Sequence, residues 1–337
     1  MTPLSATLAR RMLPALVLTA LSTAALACAS GGCTLSSDWE SQGFSTRPGL
    51  KLDLRYDYLN QDQLRHGTGT IGAAQASRML TATGDPQEVE KYTSNRYLTL
   101  GLDYTVDGNW GVNLQLPYIQ RRHSTLGTNS NGAAAADGAY DSDTAGVGDI
   151  KVIGRYQGFT PDHKFGVMFG LKLPSGSHDR SGTSTDPASP GSSAPIDRGL
   201  QAGSGTSDAI LGAYYVDTLS KNWDYFAQAT VQAALNSKDG YRPGSGYNLN
   251  LGLRYLGWAD VVPQVQLNSR YVRHDSGANA DETSTGGTLI YLSPGVVVPL
   301  TSQTSVYGFV QLPIYQDLRG VQLAPRYTAS VGVRFAL

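Results

Sequence analysis

Residues 49–59, GLKLDLRYDYL, decide the fold. Leucine or tyrosine occupies every second position from Leu50 to Tyr58, and a charged residue stands at each position between them. Because successive side chains of a β-strand point to opposite faces, this segment has one apolar face and one charged face. The pattern predicts a strand. A soluble barrel would turn the leucines inward, whereas a membrane barrel would turn them toward lipid.

The same alternation recurs along the chain, and nowhere is a helical period convincing. Segments 95–106 and 110–120 show it clearly, with the turn signal Asp107-Gly108-Asn109 between them. Most segments have about the 9–11 residues that a tilted membrane strand needs. Twelve strands are predicted, at 50–59, 95–106, 110–120, 148–156, 164–174, 207–217, 223–235, 246–256, 261–273, 287–299, 304–315 and 325–335.

The connections between these strands are short and long in turn. Short turns are predicted at 107–109, 157–163, 218–222, 257–260 and 300–303. The other connections are longer, and several are rich in Gly, Ser, Asn, Asp and Pro, such as the predicted external loop 175–206. This alternation is typical of membrane barrels with short periplasmic turns and long external loops. The predicted fold class is all-β, a transmembrane up-and-down antiparallel β-barrel of about twelve strands.

The N-terminus reads as an export signal. Arg10 and Arg11 precede an apolar run that ends in Ala25-Leu26-Ala27, which has the features of a secretory signal peptide. The run is shorter than the roughly 20 residues of a spanning helix. We therefore predict a signal peptide at 1–27, an N-terminal periplasmic or plug segment at 28–48 and an outer-membrane barrel at 49–337, located in the outer membrane of a Gram-negative bacterium.

The chain has two cysteines, Cys28 and Cys33, and both fall in the N-terminal segment. In an oxidising periplasm they can form a disulfide. Two thiolates can also hold a metal or act as a redox site, and Cys28 can be lipidated; these alternatives stay open.

Composition agrees with a barrel in lipid. Charged residues make up 16% of the 337 residues, against about 25% in a typical soluble protein. The net charge of −1 gives no basic stripe, so no nucleic-acid partner is expected. In a barrel of this size the polar parity lines the lumen and the apolar parity faces lipid, with aromatic residues near the strand ends.

The charged residues on the inward parity are the predicted pore lining. Mixed signs could line a solute path and set its selectivity, or the charges could pair with one another and close the barrel. The predicted pore-lining residues are Lys51, Asp53, Arg55, Asp57, Asp149, Lys151, Arg155, Lys172, Asp224, Arg254, Arg270 and Arg334.

Five strings resemble an outer-membrane family named for the meta-cleavage pathway of phenol degradation, a set of predicted transporters. The strings are GVGDIKVIGRYQ (146–157), FGLKLPSGSH (169–178), GSGTSDAILGAYY (203–215), YLSPGVVVPL (291–300) and VYGFVQLPIYQ (306–316). The resemblance implies an outer-membrane barrel distantly like long-chain fatty-acid transporters, with a role in uptake of hydrophobic or aromatic compounds. It brings no established catalytic residues and does not include the Cys28–Cys33 start.

The predicted function is a porin-like channel or transporter for small, hydrophobic or aromatic solutes. The alternative is a structural or adaptor barrel that docks a periplasmic partner or metal through its N-terminal cysteine segment. We expect no enzymatic activity, no catalytic residue and no cofactor. The expected partners are outer-membrane lipid, lipopolysaccharide and a small-molecule solute, and the sequence leaves the oligomeric state open.

Overall fold

The computed structural model describes residues 47–80, 84, 86–129 and 131–337. The predicted signal peptide, Cys28, Cys33 and nearly all of segment 28–48 lie outside these residues. Within them, no helix is long and apolar enough to cross a membrane.

The described chain is built almost entirely from strands. A short helix α1 (Ala73–Ala76) and a 3₁₀ turn (Arg198–Leu200) interrupt them. The strands are β1 (Gly49–Gly67), β2 (Gly69–Thr70), β3 (Val89–Thr105), β4 (Trp110–Thr128), β5 (Ala134–Ala135), β6 (Tyr140–Val147), β7 (Ile150–Tyr156), β8 (Phe165–Leu173), β9 (Ser181–Ser184), β10 (Ser193–Pro195), β11 (Asp208–Ser220), β12 (Trp223–Ala234), β13 (Gly246–Tyr255), β14 (Val262–Val272), β15 (Gly287–Pro299) and β16 (Thr304–Ala336).

Antiparallel pairing closes these strands into a barrel. In the described part of the chain, eleven elements form a ring in the order β4-β3-β1-β16-β15-β14-β13-β12-β11-β8-β7, and β7 pairs back onto β4. The long β16 is a hairpin of two arms, because residues 305–318 pair with β15 and residues 318–336 pair with β1. Its bend lies at Gly320, whose φ of 64° suits glycine. The wall therefore has twelve strand-length segments.

The predicted fold class is confirmed, and the differences lie at the external side. β1, β3 and β4 extend beyond their predicted ends, so each has 17–19 residues. β6 was not predicted, because its polar sequence YDSDTAGV shows no apolar alternation. The long connection predicted between the last two strands is wrong, since both arms of β16 continue to the tight turn at Gly320.

Side chains separate by parity as a membrane barrel requires. On the outer surface, Leu98 is 44% exposed and Leu249 is 46% exposed. Inward residues such as Asp57 and Asn268 are 1% and 0% exposed. An apolar belt around a closed ring of paired strands is the arrangement that lipid favours, because every spanning backbone group has a partner.

Aromatic residues form a band at the end of the barrel with the short turns. Trp110 packs on Tyr156 with ring centroids 4.6 Å apart, and Trp223 packs on Tyr255 at 4.9 Å. At the other end, the rings of Tyr247 and Tyr271 stack at 5.9 Å. Amphipathic rings of this kind mark the two membrane interfaces.

One predicted apolar stripe has the wrong face. In the predicted strand 207–217, Ile210 and Tyr214 belong to an apolar stripe that the parity rule turns toward lipid, yet they are 6% and 2% exposed and point into the barrel. Their outward neighbours are Leu211 and Tyr215. Tyr214 is accepted inside because its hydroxyl donates a hydrogen bond to Gln157. An apolar residue on the inward face of a narrow barrel packs like a core residue.

Candidate functional site

The lumen is the candidate functional site, because the structure brings the predicted charged residues to its inner side. None of the twelve predicted pore-lining residues is exposed to the exterior. Five of them, Arg55, Asp149, Lys151, Lys172 and Arg270, line an internal cavity. The other seven predicted pore-lining residues are not part of this cavity lining. They are Lys51, Asp53, Asp57, Arg155, Asp224, Arg254 and Arg334.

In the periplasmic half of the lumen, ion pairs join side chains along the wall. Nη1 of Arg155 lies 2.6 Å from Oδ2 of Asp103, and its Nη2 donates to Oδ1 at 2.9 Å, which gives a two-pronged contact. Arg254 pairs with Asp224 at 3.0 Å. Such planar contacts are the strongest kind of charge-assisted hydrogen bond. The charges in this half are therefore paired with each other, which is one of the two alternatives that the sequence leaves open.

The first and last strands add a second set of pairs to the same half. Asp53 lies 3.3 Å from Arg334 and accepts a hydrogen bond of 2.9 Å from the Tyr307 hydroxyl. The guanidinium of Arg334 also lies over the Tyr307 ring, 5.4 Å from its centroid. Nearby, Nε of Arg55 donates to Asp57 at 2.8 Å. The contacts of Asp53 with Arg334 and Tyr307 join the first and last strands of the barrel.

The external half of the lumen is filled in a different way, by residues 196–207, called here the inner segment. It follows β10 and turns into the barrel, so this part of the predicted external loop 175–206 is inside. Nη1 of Arg121 donates to the carbonyl oxygens of Gly199 and Gln201 at 2.6 and 3.1 Å. The Thr144 hydroxyl donates to the carbonyl of Leu200 at 3.2 Å. The wall thus satisfies backbone carbonyls that the turn of the segment leaves unpaired.

A charged junction fixes the other end of the inner segment. Nζ of Lys172 lies 3.2 Å from Asp149 and 3.0 Å from Asp208, and all three side chains are less than 10% exposed. The backbone nitrogen of Ser204 donates to Asp149 at 2.9 Å, and Lys172 also contacts the Ser204 hydroxyl. One lysine between two carboxylates leaves the junction with one negative charge, which the amide and hydroxyl donors of Ser204 stabilise.

Three of the five strings that carry the family resemblance meet at this junction. Asp149 comes from the first, Gly176 from the second and Gly203 from the third. The backbone nitrogen of Gly176 donates to Asp149 at 3.1 Å, and that of Gly203 donates to Ser177 at 2.8 Å. A Cβ at Gly203 would overlap the carbonyl of Gly176. The glycines are therefore needed because the two backbones touch.

Between the inner segment and the wall lies a cavity of about 280 Å³. More cations than acids line it. The cations are Arg55, Arg121, Lys151, Lys172, Arg198 and Arg270, and the acids are Asp149, Asp208 and Asp275. Sequence reasoning missed Arg121, Arg198, Asp208 and Asp275. Arg121 and Asp208 lie beyond or at the edge of the predicted strands, and Arg198 and Asp275 are in loops, so inward parity could not identify them.

The described residues hold no group of three or more His, Cys, Asp or Glu side chains arranged to bind a metal ion. His123 lies in β4, three residues beyond the end of the predicted strand 110–120. Its Nδ1 is 2.7 Å from the Thr93 hydroxyl, and its ring packs near Tyr140 at 5.7 Å. These neighbours give it a structural role in the wall.

Comparison with known proteins gives a match of fold. No family model and no curated protein matches the sequence. Among solved structures, an outer membrane channel from Pseudomonas putida F1 matches with a TM-score of 0.61 at 13% identity, over 86% of this chain and 96% of that chain. The monoaromatic hydrocarbon channel CymD gives a TM-score of 0.48 at 11% identity, over 91% and 94% of the two chains. The toluene transporter TbuX of Ralstonia pickettii gives 0.44 at 10%, over 86% and 91%.

Only the first of these scores is high enough to support an argument, and at that identity it concerns the fold alone. It agrees with the closed ring of strands, the apolar belt and the aromatic bands. The predicted resemblance is confirmed at this level. The chain is a closed antiparallel β-barrel with the fold of an outer-membrane channel.

Proposed function

We propose that this barrel is a channel for small aromatic or otherwise hydrophobic solutes, and that it favours those with a negative charge. The observation that carries the proposal is the cavity of about 280 Å³ between the inner segment and the wall, lined by six cations and three acids. The resemblance to predicted transporters of aromatic compounds supports the solute class, and the excess of cations supports the sign of its charge.

The positive field of the cavity comes from cations whose hydrogen-bond partners are neutral. Arg270 donates to the amide oxygen of Asn248 at 3.5 Å. Arg121 donates to Asn95 and to backbone carbonyls. Lys172, in contrast, is matched by Asp149 and Asp208. Because a lumen focuses the field of its lining charges, unmatched cations raise the local concentration of anions.

The size of the cavity suits a single aromatic ring. A dry cavity of about 150 Å³ is enough to hold benzene in a protein interior. The cavity here is larger, about 280 Å³. It therefore has room for a ring that carries a carboxylate together with water, and its polar wall can hydrate the charged end.

The proposed membrane partners follow from the outer surface of the barrel. The apolar belt contacts lipid, and the external rim contacts lipopolysaccharide. The solved structure whose similarity supports the fold is a channel. We propose no catalytic residue and no cofactor. The docking role of the Cys28–Cys33 segment remains the alternative proposal.

Transport of two probes of equal size and opposite charge tests the function. The full mature chain is refolded into liposomes, and swelling is followed in benzoate and in benzylamine. We expect swelling with both, faster with benzoate, and a reversal potential in a KCl gradient that indicates anion preference. Liposomes that swell with neither probe and show no conductance would rule out a channel.

A pair of variants assigns the selectivity to the cavity. Arg270→Gln removes a cation of β14 that lines the cavity, whereas Arg273→Gln removes an exposed one just after the same strand. We expect the reversal potential to move toward zero in the first variant and to stay at the wild-type value in the second. Equal shifts would place the selectivity outside the cavity.

A further inference from the structure

A buried group of carboxylates lies at the external mouth of the lumen. Glu88 and Glu90, at the start of β3, are 7% and 2% exposed. Asp197 belongs to the inner segment and is 9% exposed. Asp281 lies in the connection before β15 and is half-buried. Each carboxylate acts electrostatically on Glu90, so three elements meet here with like charges.

Each of the two glutamates has one carboxylate oxygen that is buried without a hydrogen-bond donor. Oε2 of Glu90 accepts from the backbone nitrogen of Leu323 at 3.1 Å, but its Oε1 is buried without a partner. Oε1 of Glu88 is also buried without a partner. A buried, unpartnered carboxylate oxygen is costly when it is ionised and much less so when the group carries a proton.

The pKa of Glu88 is raised, as expected for a buried carboxylate that lacks a hydrogen-bond donor. Burial is the main cause that raises its pKa, and the charges of Asp197 and Asp281 add to the effect. The Thr125 hydroxyl beside it acts in the opposite direction, and the resulting pKa is about 8. Since the described residues form no metal-binding group of three acids, a proton is the cation that can neutralise the group.

We propose that protons bound at Glu88 and Glu90 hold Asp197 at the mouth, and so keep the inner segment in the lumen and the channel closed. This inference rests on the proposed channel function. When Glu88 and Glu90 ionise, like charges on β3 and on the connection of Asp281 repel Asp197. Asp197 also accepts a hydrogen bond of 3.3 Å from the Gly199 nitrogen, so its displacement moves the turn that blocks the lumen.

The direction of the pH dependence follows from the sign of the shift. The pKa of Glu88 is raised in the closed state, from 4.5 to about 8. The closed state is therefore fully stable below about pH 4.5 and loses stability as the pH rises to about 8. For one group, the ratio of open to closed channels rises by up to about tenfold for each pH unit in that window.

Planar-bilayer recordings of the full mature chain test this switch. The mean current is measured from pH 5 to pH 9, with EDTA present and then with Mg²⁺ or Ca²⁺. We expect the current to increase at least tenfold between pH 5 and pH 8 and to be the same with and without divalent cations. Glu88→Gln and Glu90→Gln should each flatten the profile at a low current, because an amide cannot ionise.

The matched control is Glu282→Gln, which removes an exposed carboxylate next to Asp281. It should keep the wild-type profile. A wild-type current that does not change with pH, or a steep profile retained in both glutamine variants, would overturn the switch while leaving the channel function intact. A current that increases when EDTA is added at a fixed pH of 5 would show that a divalent cation, and not a proton, neutralises the carboxylates. No current at any pH would contradict the channel itself.

Discussion

The two halves of the lumen are filled by different means. In the periplasmic half, side chains of the wall strands pair with each other along the wall, as in the contact of Arg155 with Asp103. In the external half, the chain itself enters the bore through the inner segment, tied to the wall by Arg121 and Lys172. The paired side chains of the wall can move only with the barrel. The inner segment forms no strand pair, so it can leave the lumen without breaking one.

The difference indicates where closure and stability reside. Contacts between adjacent strands are part of the continuous hydrogen-bonded ring, so loss of a periplasmic pair should weaken the whole barrel. Contacts of the inner segment lie outside the hydrogen-bonded ring, so their loss should change the current more than the unfolding free energy. The predictions below test this division.

The largest effect on stability is expected from Arg155→Ala. The substitution leaves the carboxylate of Asp103 buried without its two-pronged partner. Loss of one partner of a buried pair costs about 3–5 kcal/mol of unfolding free energy. Urea unfolding in detergent micelles measures it. Arg122→Ala is the control, because its pair with Asp143 is more than 60% exposed and should contribute little.

An equal loss in the two arginine variants would show that the periplasmic pair is not structural. A large increase of current in Arg155→Ala, with no loss of stability, would contradict the division between the two halves.

Lys172→Ala should act mainly on closure. Without the lysine, Asp149 and Asp208 repel each other at the junction that holds Ser204, so the inner segment is released. We expect a several-fold higher mean current and a loss of about 2–3 kcal/mol of unfolding free energy. Bilayer recording and urea unfolding measure the two effects.

Lys164→Ala is a close control, because Lys164 also bridges two carboxylates, Asp162 and Asp217, but in an exposed turn. We expect wild-type current and stability for it. If Lys172→Ala leaves the current unchanged, the charged junction does not hold the inner segment in place.

The smallest effect is expected from Gly203→Ala. The new methyl group would meet the carbonyl of Gly176, so one backbone must shift, at a cost of about 1–3 kcal/mol. Noise in the single-channel current should increase, since the inner segment seats less well. Gly146→Ala serves for comparison, because nothing lies within 4 Å of a Cβ there. Identical current traces for the two variants would show that the close approach of Gly176 and Gly203 does not affect how the inner segment is seated.

The strands of the wall could be predicted from sequence because the alternation of apolar and polar residues is a local pattern. The alternation in 49–59 and its repeats give strand, face and order without knowledge of distant residues. Tyr214 broke the rule, since a ring can be buried in a narrow lumen as well as exposed to lipid. The parity argument found five of the cavity-lining residues, all of them within the predicted strands.

The inner segment could not be predicted, because its position depends on single contacts across long sequence separations. Arg121 reaches Gly199 and Gln201 from another strand, and no periodic signal marks that pairing. The glycines at 176 and 203 were visible as part of family-like strings, but a sequence gives no sign that two glycines touch. The buried acids Glu88 and Glu90 also lie outside the predicted strands, because no periodic pattern marks their positions.

The central claim is that the apolar parity touches lipid and the polar parity encloses the lumen. Three neighbouring positions of β13 test it, with Cys28 and Cys33 first replaced by serine: Tyr247→Cys, Asn248→Cys and Leu249→Cys. We predict that a thiol reagent confined to lipid modifies positions 247 and 249, and that a small water-soluble reagent modifies 248 alone. Modification of 248 from the lipid, or of 247 and 249 only from water, would contradict the account.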